Sequence, residues 1–119
     1  MDTYKTRLKD ITTFIFDVDG VLTNSELIIL ENGQLLRKMH TRDGYAMKRA
    51  VQKGYHLCII TGGGSSGVVQ RLKGLGITDI YLGAHNKIEQ LDDYFNKKDI
   101  ITLLMIVLVV FIGNFYLRC

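Results

Sequence analysis

Apolar runs alternate with amphipathic stretches along most of the chain. Short runs rich in β-branched and aromatic residues, bounded by polar or glycine-rich segments, predict strands. Stretches in which apolar side chains recur every three or four positions predict helices. The predicted strands are 14–16, 55–61 and 77–82, and the predicted helices are 45–53, 65–74 and 88–95. This order indicates an α/β fold with a parallel sheet and right-handed crossovers.

Two of the predicted helices have residues suited to their ends. Thr41 or Asp43 is expected near the N-cap of the first helix, and Gly54 lies just past its end. Ser65 is expected to cap the second helix. Side-chain oxygens at an N-cap accept hydrogen bonds from the first amides of the helix, and glycine tolerates the left-handed backbone that ends one.

A β-hairpin is predicted directly after the first strand. Residues 25–30 and 35–39 are apolar-rich runs joined through Asn32-Gly33, and Asn-Gly between such runs favours a tight hairpin turn. The hairpin is therefore placed to act as a flap over the end of that strand. Its apolar residues need cover, either from another subunit or from its own domain, and the sequence leaves both open.

The end of the chain departs from this pattern. Residues 100–119 are almost continuously apolar, whereas residues 1–99 read as an incomplete α/β core, and the chain has no proline. Three accounts of the tail are compatible with its composition: a reading-frame slip or truncation near Asp99, a buried strand that replaces a fourth core strand, and a membrane anchor over 100–117. The abrupt change in composition favours the first, and Gly113-Asn114 interrupts a membrane span.

Composition narrows the classes of function. A chain of 119 residues accommodates one domain. The net charge of +3 comes from scattered lysines and arginines, which fits a small anionic substrate better than a nucleic acid. Cys58 and Cys119 suggest neither a disulfide framework nor a zinc site, and residues 1–10 lack the apolar segment of a secretion signal. We therefore expect a cytoplasmic protein and consider a membrane location unfavoured.

Candidate chemistry begins where the first predicted strand ends. Side chains alternate along a strand, so Asp17 and Asp19 point the same way, and Gly20 lets the backbone turn away. Two close carboxylates repel unless a cation lies between them, and Mg²⁺ with its oxygen ligands suits that need. A calcium loop is disfavoured because its first ligand position would fall on Ile15. A solvated turn is the remaining alternative.

Two further predicted strands end in residues that suit an anion. Thr61 precedes three glycines, beginning with Gly62, that allow backbone amides to approach an oxyanion. Lys87 lies at a helix start, where the macrodipole disfavours a cation, so an anion is expected beside it. With Asp17 and Asp19 these residues would converge on one crevice. The set suits hydrolysis of a phosphate monoester, in which one carboxylate attacks phosphorus and the other transfers protons.

These motifs resemble those of the haloacid dehalogenase superfamily, and more closely its cap-less 3-deoxy-D-manno-octulosonate 8-phosphate phosphatases. The resemblance runs from about residue 8 to residue 94. The residues that carry it are 16–23, 59–63 and Lys87, together with 42–46, 81–83 and Asn86. It implies a Rossmann-like core, a Mg²⁺ cofactor and a homotetramer in which the hairpin reaches a neighbouring subunit. It also implies a sugar-acid phosphate as substrate, either the octulosonate or a related nonulosonate phosphate.

The resemblance also implies roles for individual residues. Asp17 would be the nucleophile and a metal ligand, and Asp19 would be the acid/base and a ligand through its backbone carbonyl. The phosphate contacts would be Asp19, Thr61, Gly62 and Lys87. The pocket for the sugar acid would be lined by His40, Thr41, Arg42, Asp43 and Gly44, with Lys48 and Arg71.

Two departures from the family pattern put parts of this set in doubt. The family has an arginine where this chain has Gly63, and its final carboxylates for Mg²⁺ have no counterpart because no acidic residue follows Asp99. We therefore expect weak Mg²⁺ binding and little turnover from this polypeptide. An alternative is a catalytically impaired remnant that only assembles with full-length subunits.

Overall fold

The computed structural model describes residue 6, residues 8–98, and the backbone of residues 106–111 and 114–118. A 3₁₀ turn at Leu8–Asp10 leads into the first strand. The strands are β1 (Ile11–Phe16), β2 (Ile28–Ile29), β3 (Leu35–Leu36), β4 (His56–Ile60), β5 (Asp79–Tyr81), β6 (Ile106–Phe111) and β7 (Asn114–Arg118). The helices are α1 (Thr41–Gln52), α2 (Ser66–Gly74) and α3 (Lys87–Lys97).

The main sheet has the strand order β5-β4-β1-β6-β7. Strands β5, β4, β1 and β6 are parallel, and β7 is antiparallel to β6. The register pairs Phe16 with Ile59 on one side and with Val110 on the other. The carboxyl ends of β1, β4 and β6 therefore lie at one edge of the sheet. The predicted α/β fold with a parallel sheet is confirmed.

Alternating residues of the central strands pack into two apolar layers, one on each face of the sheet. Leu57 and Ile59 of β4 belong to the layer that includes α1 and α2, whereas Cys58 and Ile60 face α3. Such near-continuous apolar runs are typical of strands buried on both faces. The layer under α3 is completed by Ile15, Ala84, Leu91, Tyr94 and Phe95. The central strands of the sheet are thereby packed on both faces beneath the edge where they end.

The start of α1 differs from the sequence prediction. Its N-cap is His40, with an extended backbone, and the Nδ1 atom accepts a hydrogen bond from the Arg42 amide at 3.0 Å. Thr41, predicted to lie near the N-cap, is the first helical residue and directly follows the cap, whereas His40 itself was not predicted as the cap. Imidazole nitrogen can replace the usual side-chain oxygen because the role requires only an acceptor. The prediction for α2 is confirmed, since Ser65 Oγ accepts from the Val68 amide.

The hairpin is present but shorter than the predicted runs. Only Ile28–Ile29 and Leu35–Leu36 pair, antiparallel, and Gly33 at the turn has φ of +85°. The Asn32 side chain accepts a hydrogen bond from the Gln34 amide at 3.0 Å, which fixes the turn. The apolar side chains of both strands are exposed in this single chain, with Ile29 at 72%. The prediction that the hairpin needs cover therefore stands.

The described backbone of the apolar tail belongs to the same sheet as the core. β6 lies parallel to β1, the position of a fourth core strand, and β7 returns beside it. No helix in the described part of the chain is long and apolar enough to cross a membrane. Residues 1–5, 7, 99–105, 112–113 and 119 lie outside the described residues, and so do the corresponding parts of the predictions for both ends of the chain.

Candidate active site

A tight loop fixes the two acids at the end of β1. The Val18 amide donates to Asp17 Oδ1 at 2.7 Å, and the Val18 carbonyl accepts three amide hydrogen bonds, from Val21, Leu22 and Thr23. Gly20 has φ of +81°, a conformation that favours glycine. Asp17 is buried and Asp19 is half-buried. The loop therefore presents one enclosed and one accessible carboxylate.

Lys87 reaches Asp17 from the first residue of α3. Its Nζ lies 2.7 Å from Asp17 Oδ2, and the side chains are 28% and 5% exposed, respectively. The sequence predicted an anion beside this lysine because the helix N-terminus disfavours a cation. In this structure the Asp17 carboxylate is that anion. The two residues lie seventy positions apart in sequence and meet because β1 and the β5–α3 connection end at one sheet edge.

Arg37, from the segment after β3, holds the other acid. Its Nε and Nη2 donate to Asp19 Oδ1 and Oδ2 at 2.6 and 3.2 Å, a bidentate pair. The arginine side chain is only 7% exposed. The hydrogen bond to Asp19 raises the pKa of Arg37 above its ordinary value, so the guanidinium stays charged. Sequence reasoning missed Arg37, because no spacing rule links a hairpin residue to the acid loop.

The loop after β4 lies beside the acids. Thr61 is buried, its amide donates to the Tyr81 carbonyl at 3.0 Å, and its Oγ1 accepts from the Gly63 amide at 3.3 Å. A Cβ atom at Gly63 would lie 3.8 Å from Asp19 Oδ2, so the glycine backbone closely approaches the second acid. Gly62 is exposed, and a Cβ atom there would meet only the Ala84 carbonyl oxygen, at 3.9 Å. The predicted convergence of this loop with the acids is thus present in the structure.

Only two of the residues predicted to line a sugar-acid pocket lie along one cleft of the structure. A cleft of about 440 Å³ is lined by residues 21–24 and 38–40 and by Asp43, so it includes His40 and Asp43 from the predicted set. Gly44 is buried against Arg71, since a Cβ there would come within 2.6 Å of Arg71 Nη2. The remaining members are exposed on α1 and do not line this cleft: Thr41, Arg42 and Lys48.

The described residues do not complete a magnesium site. They contain no group of three or more acidic, histidine or cysteine side chains arranged to hold a metal ion. Both candidate carboxylates are also ion-paired, Asp17 with Lys87 and Asp19 with Arg37. Mg²⁺ prefers octahedral oxygen coordination, and Asp17 with the Asp19 carbonyl would supply only part of it.

No family model matches the sequence, but individual proteins do. The chain is 35% identical over 91 residues to the 3-deoxy-D-manno-octulosonate 8-phosphate phosphatase KdsC of Escherichia coli strain K12, which covers 76% of this chain and 48% of that protein. The corresponding Salmonella typhimurium phosphatase is 35% identical over 92 residues, which cover 77% of this chain and 49% of that protein. The chain thus spans about half the length of the curated relatives it matches.

Solved structures agree with the sequence comparison. The phosphatase of the same name from Moraxella catarrhalis, in complex with magnesium ion, phosphate ion and KDO, has a TM-score of 0.76 and 33% identity, covering 82% of this chain and 56% of that one. The Yersinia pestis phosphatase has a TM-score of 0.81 and 26% identity, with coverages of 87% and 55%. A Legionella pneumophila hydrolase of the haloacid dehalogenase superfamily has a TM-score of 0.77 and 31% identity, covering 82% and 53%.

The sequence and fold comparisons point to one group of proteins. The sequence motifs point to the same group: they form the acid loop after β1, the Thr61 loop after β4 and the lysine that opens α3. In sequence and in fold the chain is similar to the KdsC phosphatases of the haloacid dehalogenase superfamily.

Proposed function

We propose that the chain performs the chemistry of a phosphomonoester hydrolase on a sugar-acid phosphate, converting 3-deoxy-D-manno-octulosonate 8-phosphate to the free sugar acid and phosphate. One observation carries the proposal: a buried carboxylate, Asp17, lies at the carboxyl end of the central strand, 2.7 Å from a lysine amine. Ligands of open α/β sheets bind at this edge. The names of the relatives supply the substrate class.

In the first half-reaction Asp17 acts as the nucleophile. A carboxylate oxygen of Asp17 forms a bond to phosphorus while the ester P–O bond breaks, which gives an acyl phosphate. Asp19, which must first separate from Arg37 and take up a proton from solvent, gives that proton to the departing sugar oxygen. Lys87 and the amides after Thr61 stabilise the charge on the remaining phosphoryl oxygens. Release of the Lys87 ammonium from Asp17 to the phosphoryl group frees the attacking oxygen.

In the second half-reaction water replaces the enzyme carboxylate. Asp19, now ionised, accepts a proton from water as the water oxygen bonds to phosphorus. The bond between phosphorus and Asp17 breaks, which regenerates the Asp17 carboxylate and releases inorganic phosphate. One residue thus serves as acid and then as base, as microscopic reversibility requires of a two-step displacement.

Magnesium binding is proposed to be weak in this chain. When bound, the ion would neutralise phosphoryl charge, and the resemblance assigns it to Asp17 and Asp19. The described residues offer no third acid, and losing supporting groups commonly lowers metal affinity or activity by about 10–100-fold. We therefore expect slow turnover that increases with millimolar Mg²⁺.

The test is phosphate release over a panel of sugar phosphates, with and without Mg²⁺. We expect slow release from 3-deoxy-D-manno-octulosonate 8-phosphate or a nonulosonate phosphate, abolished in Asp17→Asn. A second variant probes the missing carboxylate: β6 ends at the edge that holds Asp17, and Asn114 follows within three residues, so Asn114→Asp adds an acid near that edge. Release that is unaffected by Asp17→Asn would overturn the proposal.

Assembly through the hairpin is the second part of the proposal. The exposed apolar side chains of β2 and β3 would be covered by neighbouring subunits, consistent with a homotetramer. The same observation favours the alternative function, a remnant that assembles with full-length subunits without catalysing the reaction. A cytoplasmic location is proposed because Cys58 is a free, buried cysteine and the substrate class is a soluble metabolite.

A further inference from the structure

Gly63 and the Arg37 guanidinium lie next to each other beside the acid loop. A Cβ atom at residue 63 would lie 3.1 Å from Arg37 Nη2 and 3.7 Å from Arg37 Cζ. The first distance is tighter than most contacts of a Cβ atom, so a side chain at residue 63 would require the guanidinium to shift by a few tenths of an ångström. Gly63 does not have a positive φ, so its backbone does not itself require glycine. Space for Arg37 is therefore a physical reason for glycine at this position.

The guanidinium lies beside the loop that is proposed to bind phosphate. Arg37 lines a small cavity together with Thr61, Gly63 and Ser65, residues of the loop proposed to bind phosphoryl oxygens. Its side chain is 7% exposed, and its planar fork already grips a carboxylate through two nitrogens. The same fork geometry suits two oxygens of a phosphoryl group.

We propose that Arg37 is a phosphate-binding residue. Its guanidinium comes from the hairpin and takes the place of the arginine that the family resemblance implies at position 63, where this chain has glycine. This inference rests on the proposed function and adds an anion contact to it. In the structure the Arg37 guanidinium pairs with Asp19. When a phosphoryl group binds, some of the guanidinium N–H groups donate to its oxygens instead. Because Arg37 directly follows β3, the hairpin also becomes part of the phosphate site.

A purely structural role for Arg37 makes a different prediction. If Arg37 only ties the hairpin to Asp19, its loss affects the fold or the hairpin, and an arginine introduced at position 63 has no reason to compensate. If the site needs a guanidinium at this place, Gly63→Arg restores the contact once Arg37 has been shortened. Relocating the arginine therefore separates the two roles.

The experiment titrates inorganic phosphate into the full chain by isothermal calorimetry in the presence of Mg²⁺, with folding checked by circular dichroism. We expect Arg37→Gln to weaken phosphate binding about tenfold, the loss typical of a charge-assisted contact. The double variant Arg37→Gln/Gly63→Arg should recover most of the affinity. Lys73→Gln, which removes the same charge from an exposed position on α2, should bind like the parent.

Parental affinity in Arg37→Gln would overturn the inference, and so would a folded double variant without recovery. Absence of phosphate binding by the parent chain would overturn it as well. If Arg37→Gln does not fold, Arg37→Lys decides, because it keeps the charge and loses the fork; unchanged affinity contradicts the inference. Arg37-dependent phosphate binding without Asp17-dependent phosphate release would support the inference and refute the proposed function.

Discussion

Asp17 and Lys87 illustrate how a functional site constrains stability at the scale of single residues. The carboxylate is 5% exposed and its ammonium partner 28% exposed, so water screens the pair only in part. A buried charge that loses its partner destabilises the folded state more than a neutral residue does in the same place. The pair is therefore a stabilising contact in the ligand-free chain as well as part of the proposed chemistry.

This gives a prediction for Lys87→Met. Removing the ammonium leaves the Asp17 carboxylate with its Val18 amide hydrogen bond but without its ion-pair partner, so the free energy of unfolding should fall by about 1–3 kcal/mol. Urea denaturation at neutral pH measures the change. Asp17→Asn/Lys87→Met is the control and should be more stable than Lys87→Met alone. Equal stability of Lys87→Met and the parent chain would show that the ion pair contributes nothing.

Sequence reasoning located residues in the connections that follow the parallel strands. Asp17, Thr61 and Lys87 were predicted to converge because parallel strands end at a common edge, and the structure brings them to that edge. Arg37 was not predicted as a site residue because it follows a hairpin, and the position of a hairpin relative to the sheet is set by tertiary packing. The His40 cap was missed for a related reason, since histidine is an uncommon capping residue and capping depends on backbone angles that a sequence does not show.

At the scale of elements, the hairpin has the clearest unsatisfied surface. Ile29 is 72% exposed and Ile28 50%, and apolar side chains clustered in this way favour association. We expect the parent chain to self-associate and Ile29→Lys to shift it toward monomer in sedimentation velocity. Ile88→Lys is the matched control, because Ile88 is 54% exposed on α3 and lies outside the hairpin. Identical sedimentation of Ile29→Lys and the parent would contradict the proposed interface.

The layer between the sheet and α3 should make the fold sensitive to alkali. Burial raises the pKa of Cys58 to about 12 from 9.0 and raises the pKa of Tyr94 above its ordinary value. Between pH 9 and 12 the unfolded chain loses the thiol proton while the folded chain keeps it, so stability falls as pH rises through this window. Below pH 9 both states keep the proton and this contribution is constant.

The measurement is urea denaturation at a series of pH values above 8. Cys58→Ala removes one titrating group, so its stability should decline less steeply with pH than that of the parent chain. A lower stability of the variant at every pH is expected from the lost packing of a fully buried side chain and does not bear on the slope. If the stability of Cys58→Ala declines with pH as steeply as that of the parent chain, the alkaline loss of stability does not come from Cys58.

At the scale of the whole molecule, the pattern of apolar runs predicted the fold class but not the strand order. The composition of residues 100–119 was compatible with a strand, a membrane anchor or an altered reading frame. The pairing of β6 with β1 depends on contacts between residues 94 or 95 positions apart, which local pattern does not encode. The sugar-acid pocket was equally hard to predict, because the cleft depends on how α1 and the hairpin pack around the acid loop.

The whole account depends on covalent capture of phosphorus by Asp17. The most direct test mixes the full chain with 3-deoxy-D-manno-octulosonate 8-phosphate and millimolar Mg²⁺, quenches in acid and locates modification by tandem mass spectrometry. The account predicts one phosphoryl group on Asp17, removed by hydroxylamine and absent from Asp17→Asn. An unmodified Asp17, or equal labelling of the Asp17→Asn variant at another residue, would contradict it.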